Sequence, residues 1–216
     1  MHLQTKVEKT SYEVTLTVDC AIFGFQQNEL HVLLVKRNID PFKGYWVLPG
    51  GIMNEGITLE ESVSNVLYAL TGIRDIHYEQ VKTYSTIGRH PVKRVVTVLF
   101  YALIKPENHS ITPGQYISEV KWFPFKQKPP LGYDHDMLLN EGLLKLRHDL
   151  QERFLFRELL PKKFTLKELQ DLYESILDEA LDRRNFRKKI MQLDILSNTG
   201  EIKQGVKGGP ELYELK

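Results

Sequence analysis

The sequence predicts an α/β domain, a mixed sheet sandwiched by helices, followed by a small C-terminal helix-turn-helix unit with a β-hairpin wing. Three observations lead there. Apolar runs of strand type alternate with a helical apolar stripe through the first half of the chain. After residue 150 a capped helix, a short connection, a strongly basic helix and a glycine-containing hairpin follow one another. Composition is that of a folded protein: 216 residues, 42% hydrophobic and 26% charged, enough for a sizeable core and too apolar for disorder. The expected division is 1–150 and 151–216.

Val14 to Phe25 and Leu30 to Lys36 read as a strand pair, joined through the polar turn Gln26-Gln27-Asn28-Glu29. A loop with proline and glycine is expected from Asp40 to Gly56, then a helix from about Thr58 to Leu70. Leu59, Val63, Val66, Leu67 and Leu70 recur along it at helical spacing and give it one apolar face. Strands follow at Tyr78 to Tyr84 and Arg94 to Ile104, separated by the loop Ser85 to Pro91, with a shorter one at Val120 to Phe125. Beyond Pro129-Pro130, Leu138, Leu139, Leu143, Leu144 and Leu146 supply a further helix ending near Leu150, and another is expected from about Gln151 to Leu160.

The C-terminal unit has sharper local signals. Thr165 with Glu168 three positions later forms a capping box, and Phe164 with Leu169 a hydrophobic staple, so a helix starts there. Leu177 to Leu181 connects it to a second helix beginning near Asp182, whose Phe186, Ile190 and Leu193 are expected to face the core. The tail reads as a hairpin in which Leu196 and Ile202 flank Ser197-Asn198-Thr199-Gly200, and Gly205 to Pro210 is a bend carrying Lys207.

A net charge of +1 hides one cluster: Arg183, Arg184, Arg187, Lys188 and Lys189 lie within seven residues. Basic side chains on a second helix of this kind meet DNA phosphates and release counterions, while its N-terminal residues face base edges in the major groove. Arg183, Arg184 and Asn185 occupy that end. Arg187, Lys188 and Lys189 fall nearer the backbone, and Lys203 or Lys207 on the wing reaches flanking phosphate or the minor groove. The partner implied is double-stranded operator DNA. No apolar run approaches the roughly 20 residues that span a bilayer, Met1 to Lys6 lacks a signal-peptide core, and the single cysteine, Cys20, lies in an apolar strand as core filler. A cytoplasmic protein without a membrane partner is expected.

The run Trp46-Val47-Leu48-Pro49-Gly50-Gly51 and the residues to Ile73 resemble the Nudix motif, Gly-x5-Glu-x7-Arg-Glu-U-x-Glu-Glu-x-Gly-U with U a bulky aliphatic. Begun at Gly51, the pattern puts Ile57 at the first Glu, Asn65 and Val66 at Arg-Glu, and Ala69 and Leu70 at the paired glutamates, while Leu67, Gly72 and Ile73 match. Nudix hydrolysis needs magnesium, a hard cation that takes oxygen ligands, and Val66, Ala69 and Leu70 offer none. No catalytic residue, metal or other cofactor is therefore assigned. Glu55, Glu60 and Glu61 fall out of register and suit the positive end of the helix dipole.

With Phe164 to Glu174 and Leu181 to Lys189 added, nearly the whole chain resembles the Nudix-related transcriptional regulators, most of all their arabinose-responsive branch of the Bacteroidetes type. The resemblance implies a homodimeric repressor whose Nudix-like domain binds an effector and whose winged helix-turn-helix binds an operator. It also implies L-arabinose as effector and sugar utilisation genes as targets. Asp19, Lys43, Trp46, Arg89 and Asp134 are the candidate contacts for a neutral pentose, which needs opposed donors and acceptors and an aromatic wall. The alternative branch senses ADP-ribose and controls NAD metabolism, and Arg37, Lys43, Arg89, Lys93 and Arg94 would then answer two phosphates. An active pyrophosphohydrolase is the remaining reading. Each residue also has a plain one: Asp19 a structural ion pair, Trp46 loop packing, Asp134 and His135 a helix cap.

Overall fold

The computed structural model of the chain describes residues 13–152 and 159–216. β1 (Thr15–Gln26) and β2 (Glu29–Arg37) form an antiparallel pair closed by Gln27 and Asn28, both at positive φ, the backbone that a tight two-residue hairpin demands. The segment Asp40–Gly56, expected as loop, holds two short strands, β3 (Trp46–Val47) and β4 (Gly50–Ile52), paired to β2 and β1. β5 (Tyr78–Tyr84) and β6 (Val95–Ile104) follow, then β7 (Ile117–Pro124). The sheet runs β3-β2-β1-β6-β5, with β4 also on β1 and β7 also on β2. β1 and β6 pair in parallel, from Thr15 opposite Val95 to Gly24 opposite Ile104, while the other named strand pairs are antiparallel. The sheet is mixed, as expected.

Parity along β1 assigns its two faces. Val18, Cys20 and Ile22 meet α1 (Leu59–Thr71), whose Val63 and Leu67 are fully buried against them. Each such aliphatic side chain contributes about 1.5–3 kcal/mol on burial. Thr58 caps α1 and forms a reciprocal pair with Glu61, so the out-of-register acid Glu61 serves the helix terminus. Ala21 and Phe23 face the other way, onto α2 (His135–Glu152). Gly142 permits that approach, since a Cβ there would stand 2.9 Å from the Cβ of Ala21. Tyr84 donates to Glu141 at 2.9 Å and Tyr101 to the buried Asp149 at 2.6 Å, fixing α2 along its length. Burial pushes the Asp149 carboxyl up, and the bonds from Lys145, Tyr101 and His148 outweigh it, leaving the group below the usual carboxylate range.

The C-terminal unit comprises α3 (Leu166–Leu177), α4 (Arg183–Gln192) and a hairpin of β8 (Leu196–Ile202) with β9 (Glu211–Leu215). Thr165 and Glu168 make the capping box at α3, and Phe164 and Leu169 on either side of it are both buried. α2 extends to Glu152; the rest of the helix expected over Gln151 to Leu160 lies outside the described residues up to 158, and Leu159 and Leu160 stand in a turn and a bend. Two other expectations need correction. Leu193 is 43% exposed because α4 ends at Gln192 and turns away before reaching the core. The hairpin does not turn at Ser197 to Gly200: β8 runs through them with an irregular register after Asn198, and the chain reverses over 203–210. Gly200, at φ +74°, absorbs that irregularity. Among the described residues no helix is long and apolar enough to cross a membrane.

A single apolar cluster joins the two halves. It begins at Ala21 and Phe23, passes through Leu139 and Leu143 of α2, and continues to Leu172, Ile176, Phe186 and Tyr213.

Candidate ligand cleft and nucleic-acid interface

A cleft of about 650 Å³ opens at one end of the sheet. Its floor carries Asp19, only 5% exposed, on the α2 side of β1 where parity has already placed it. Gly50, opposite Asp19 across the β1–β4 pair, is what makes room: a Cβ there would fall 1.8 Å from Asp19 Oδ1. Thr97 donates to Asp19 Oδ2 at 2.6 Å, and Arg89 Nη2 stands 3.8 Å from the same oxygen. Arg89 is spent mainly on Asp134, with Nε to Oδ2 at 3.0 Å and Nη2 to Oδ1 at 2.9 Å. Its side chain is 6% exposed, which makes this a buried fork and not a surface pair.

His135, the first residue of α2, accepts the backbone N–H of Leu48 on Nδ1 at 3.0 Å. The neutral ring therefore carries its proton on Nε2, which faces Asp19 Oδ1 at 3.6 Å. Burial holds the His135 imidazole below its usual range despite the opposing pull of Asp19 and Asp134. Toward the mouth, Tyr133 stacks on His90 with ring centroids 5.4 Å apart, and the Arg37 guanidinium lies 5.4 Å from the Tyr133 ring. His90 Nδ1 accepts from the N–H groups of Val92 and Lys93, each at 3.2 Å. Burial, then Lys93, Arg37 and Arg89, keeps His90 below its usual range. The mouth is thus cationic with an aromatic shelf, and the floor is a carboxylate beside a neutral donor.

The expected ligand residues divide. Asp19 and Arg89 line the cleft, and Asp134 stands behind Arg89 as its partner. Trp46 and Lys43 do not line it. Trp46 packs edge-on against Phe123, centroids 4.8 Å apart, under Lys36, while Lys43 points out from an exposed turn. Of the cations proposed for phosphates, Arg37, Arg89 and Lys93 line the cleft. Arg94 is turned back onto the carbonyls of Ser85 and Thr86. Tyr133 and His90 were missed as cleft residues, and Thr97 as the buried partner of Asp19. Only the density of ring and charge in Gly132-Tyr133-Asp134-His135 hinted at the first of them.

The motif helix gives this cleft an apolar wall. Leu70 lines it, and Val66 packs on Gly51, where a Cβ would come within 3.0 Å of Val66 Cγ2. These residues do not fit a magnesium ion, which requires oxygen donors. Among the described residues no group of three or more His, Cys, Asp or Glu is placed to hold a metal.

The basic face is at the far end. Asp182 caps α4 by accepting from Asn185 N at 2.8 Å, and Phe186 and Ile190 bury the inner side, with Phe186 edge-on to Tyr173 at 5.4 Å. Arg183, Arg184, Asn185, Arg187, Lys188 and Lys189 are all exposed, with Arg187 3.9 Å from Glu211 of the wing. Lys207 is exposed in the hairpin turn. Lys203 donates to Glu168 at 2.5 Å, tying the wing to the α3 capping box.

Two family models match, a NUDIX domain over residues 14–138 and an NrtR DNA-binding winged helix domain over residues 156–215. The ADPR responsive transcriptional repressor NtrR of Acinetobacter baylyi is 34% identical over 211 residues, 95% of this chain and 84% of the relative. Shewanella oneidensis NrtR complexed with a 27mer DNA is similar at TM-score 0.77 and 32% identity, over 93% of each chain. The NUDIX domain of Shewanella oneidensis NrtR complexed with ADP ribose matches 64% of this chain and 92% of its own, at TM-score 0.60 and 32% identity.

Proposed function

Because the chain belongs to the Nudix family, in the group that joins a Nudix domain to an NrtR-type winged helix, we propose that it is an ADP-ribose-responsive transcriptional repressor. The relatives favour this reading, held second on sequence grounds, over L-arabinose, which none of those described supports. One observation in the molecule carries it. The cleft pairs a cationic mouth, Arg37 and Lys93, with the Tyr133 ring, so a diphosphate and a purine each meet a suitable surface. A neutral pentose has no use for those cations.

The reading makes the protein a binder and not a hydrolase, since Val66 and Leu70 replace oxygen ligands with hydrocarbon. Arg183, Arg184 and Asn185 face base edges, Arg187, Lys188, Lys189 and Lys207 the phosphates, and two copies read paired half-sites as a homodimer. α2 connects the two ends. Its first residue, His135, faces Asp19 in the cleft; near its other end Arg147 donates to the Ile176 carbonyl of α3 at 2.7 Å, and Leu150 accepts from Tyr173. A helix of this length spans about 27 Å at about 1.5 Å per residue, so a shift at the cleft reaches the seat of α3 and α4. A coupling of about 1–3 kcal/mol changes DNA affinity roughly 5- to 150-fold.

The test is titration of ADP-ribose and of L-arabinose into a labelled complex with DNA from the protein's own regulated promoters. Release by ADP-ribose alone is expected; release by L-arabinose alone refutes the reading. Magnesium-dependent, chelator-sensitive cleavage of ADP-ribose would return the protein to the hydrolases.

A further inference from the structure

Asp19 and His135 present a half-made hydrogen bond. Oδ2 of Asp19 is engaged by Thr97 at 2.6 Å, whereas Oδ1 looks across 3.6 Å at His135 Nε2, too far for a direct bond. Both residues line the cleft, and both are more than nine-tenths buried. The donor and acceptor roles are fixed. Leu48 N–H occupies Nδ1 at 3.0 Å, which leaves the proton of the neutral ring on Nε2, and the carboxylate only accepts.

We infer that this pair is a subsite for a sugar hydroxyl: an oxygen seated about 2.8 Å from both atoms accepts from Nε2–H and donates to Oδ1. A hydroxyl fills both roles with a single atom. A phosphate or carboxylate oxygen accepts only and is repelled by Asp19, and an apolar group leaves both partners unpaired. Burial that keeps the His135 ring neutral preserves the single-donor arrangement near pH 7. The floor therefore takes a ribose hydroxyl and excludes the diphosphate, which is left to Arg37 and Lys93 at the mouth. Gly50 belongs to the device, because any side chain there displaces Asp19 Oδ1.

This inference rests on the ADP-ribose reading, and one calorimetric series separates the two. The series measures ADP-ribose affinity for the full chain and for His135→Asn and His135→Gln, with melting temperatures alongside. Asparagine can still accept from Leu48 N–H but has no donor at the Nε2 position, whereas glutamine restores an N–H there. Affinity should fall about tenfold in His135→Asn, the size of one lost buried hydrogen bond, and recover most of that in His135→Gln, with both variants folded. Equal losses in both, or no loss in His135→Asn, overturn the hydroxyl subsite. Absence of ADP-ribose binding to the unaltered chain overturns the functional reading instead.

Discussion

Replacing Arg89 with alanine tests whether the cleft is built around a buried charge network. Its guanidinium makes two bonds to Asp134, at 3.0 and 2.9 Å, and lies 3.8 Å from Asp19. Removing one partner from a buried ion pair costs about 3–5 kcal/mol, because the remaining charge keeps its desolvation penalty without compensation. The Asp19 side chain is buried and still held by Thr97, and the Asp134 side chain, at 19% exposure, regains some water. The expected loss is therefore about 3 kcal/mol, at the lower end of that range. For a chain of this size this lowers the melting temperature by about 6–12 °C. Urea unfolding of Arg89→Ala, Asp134→Ala and the double variant forms a cycle, and neighbouring partners should show a coupling energy of about 0.5–3 kcal/mol. A cost under about 1 kcal/mol for Arg89→Ala, with the two single changes additive, would match an exposed pair and refute the argument.

Arg183→Ala or Arg184→Ala should weaken operator binding by about 1–3 kcal/mol if the residue pairs with guanine, relaxing preference at one base pair; an equal loss on random DNA assigns it to phosphate. Lys207→Ala should lower the salt slope of DNA binding by about 0.9, and Lys203→Ala should leave the slope unchanged while costing at most about 1 kcal/mol of stability, since Lys203 is committed to Glu168. Arg147→Ala removes the bond to Ile176 O and should blunt release of DNA by ADP-ribose, leaving ADP-ribose affinity for the free protein within about threefold; undiminished release would rule α2 out as the connection. His135 gives a pH dependence. Its folded pKa lies below the ordinary 6.5, so the unfolded chain takes up a proton that the native cleft refuses. Stability present above pH 6.5 then falls as pH drops from there to the folded pKa, by at most about 1.4 kcal/mol per pH unit. Urea midpoints between pH 5 and 7.5 should show a shallower decline in His135→Asn.

Most of the fold was legible because it rests on local signals. The hairpin at Gln27-Asn28, the stripe on α1 and the Thr165–Glu168 box each depend on residues within a few positions of one another. The wing misled for the same reason. Ser197-Asn198-Thr199-Gly200 has the composition of a turn, yet Tyr213 and Glu214 pair across it and hold Ser197 and Asn198 in a strand. The cleft was less legible. Asp19 was conspicuous as an acid in an apolar strand, but the partners that define it come from distant places, Thr97 from β6 and His135 from α2. Trp46 offered the size and chemistry of a sugar wall; β7 supplied Phe123 and took the ring into packing. Lys203 was assigned by charge alone, and its carboxylate partner is 35 positions away.

The apolar cluster that runs unbroken from Phe23 through Leu143 to Phe186 and Tyr213 has a consequence for unfolding. Because the sheet and the basic unit share this one cluster, neither loses its packing without uncovering leucines that belong to the other. Heat or urea should carry both through one transition. A molecule bound among the strands then protects amide protons on α4, where it touches nothing, because opening the distant helix draws on the same reserve of stability.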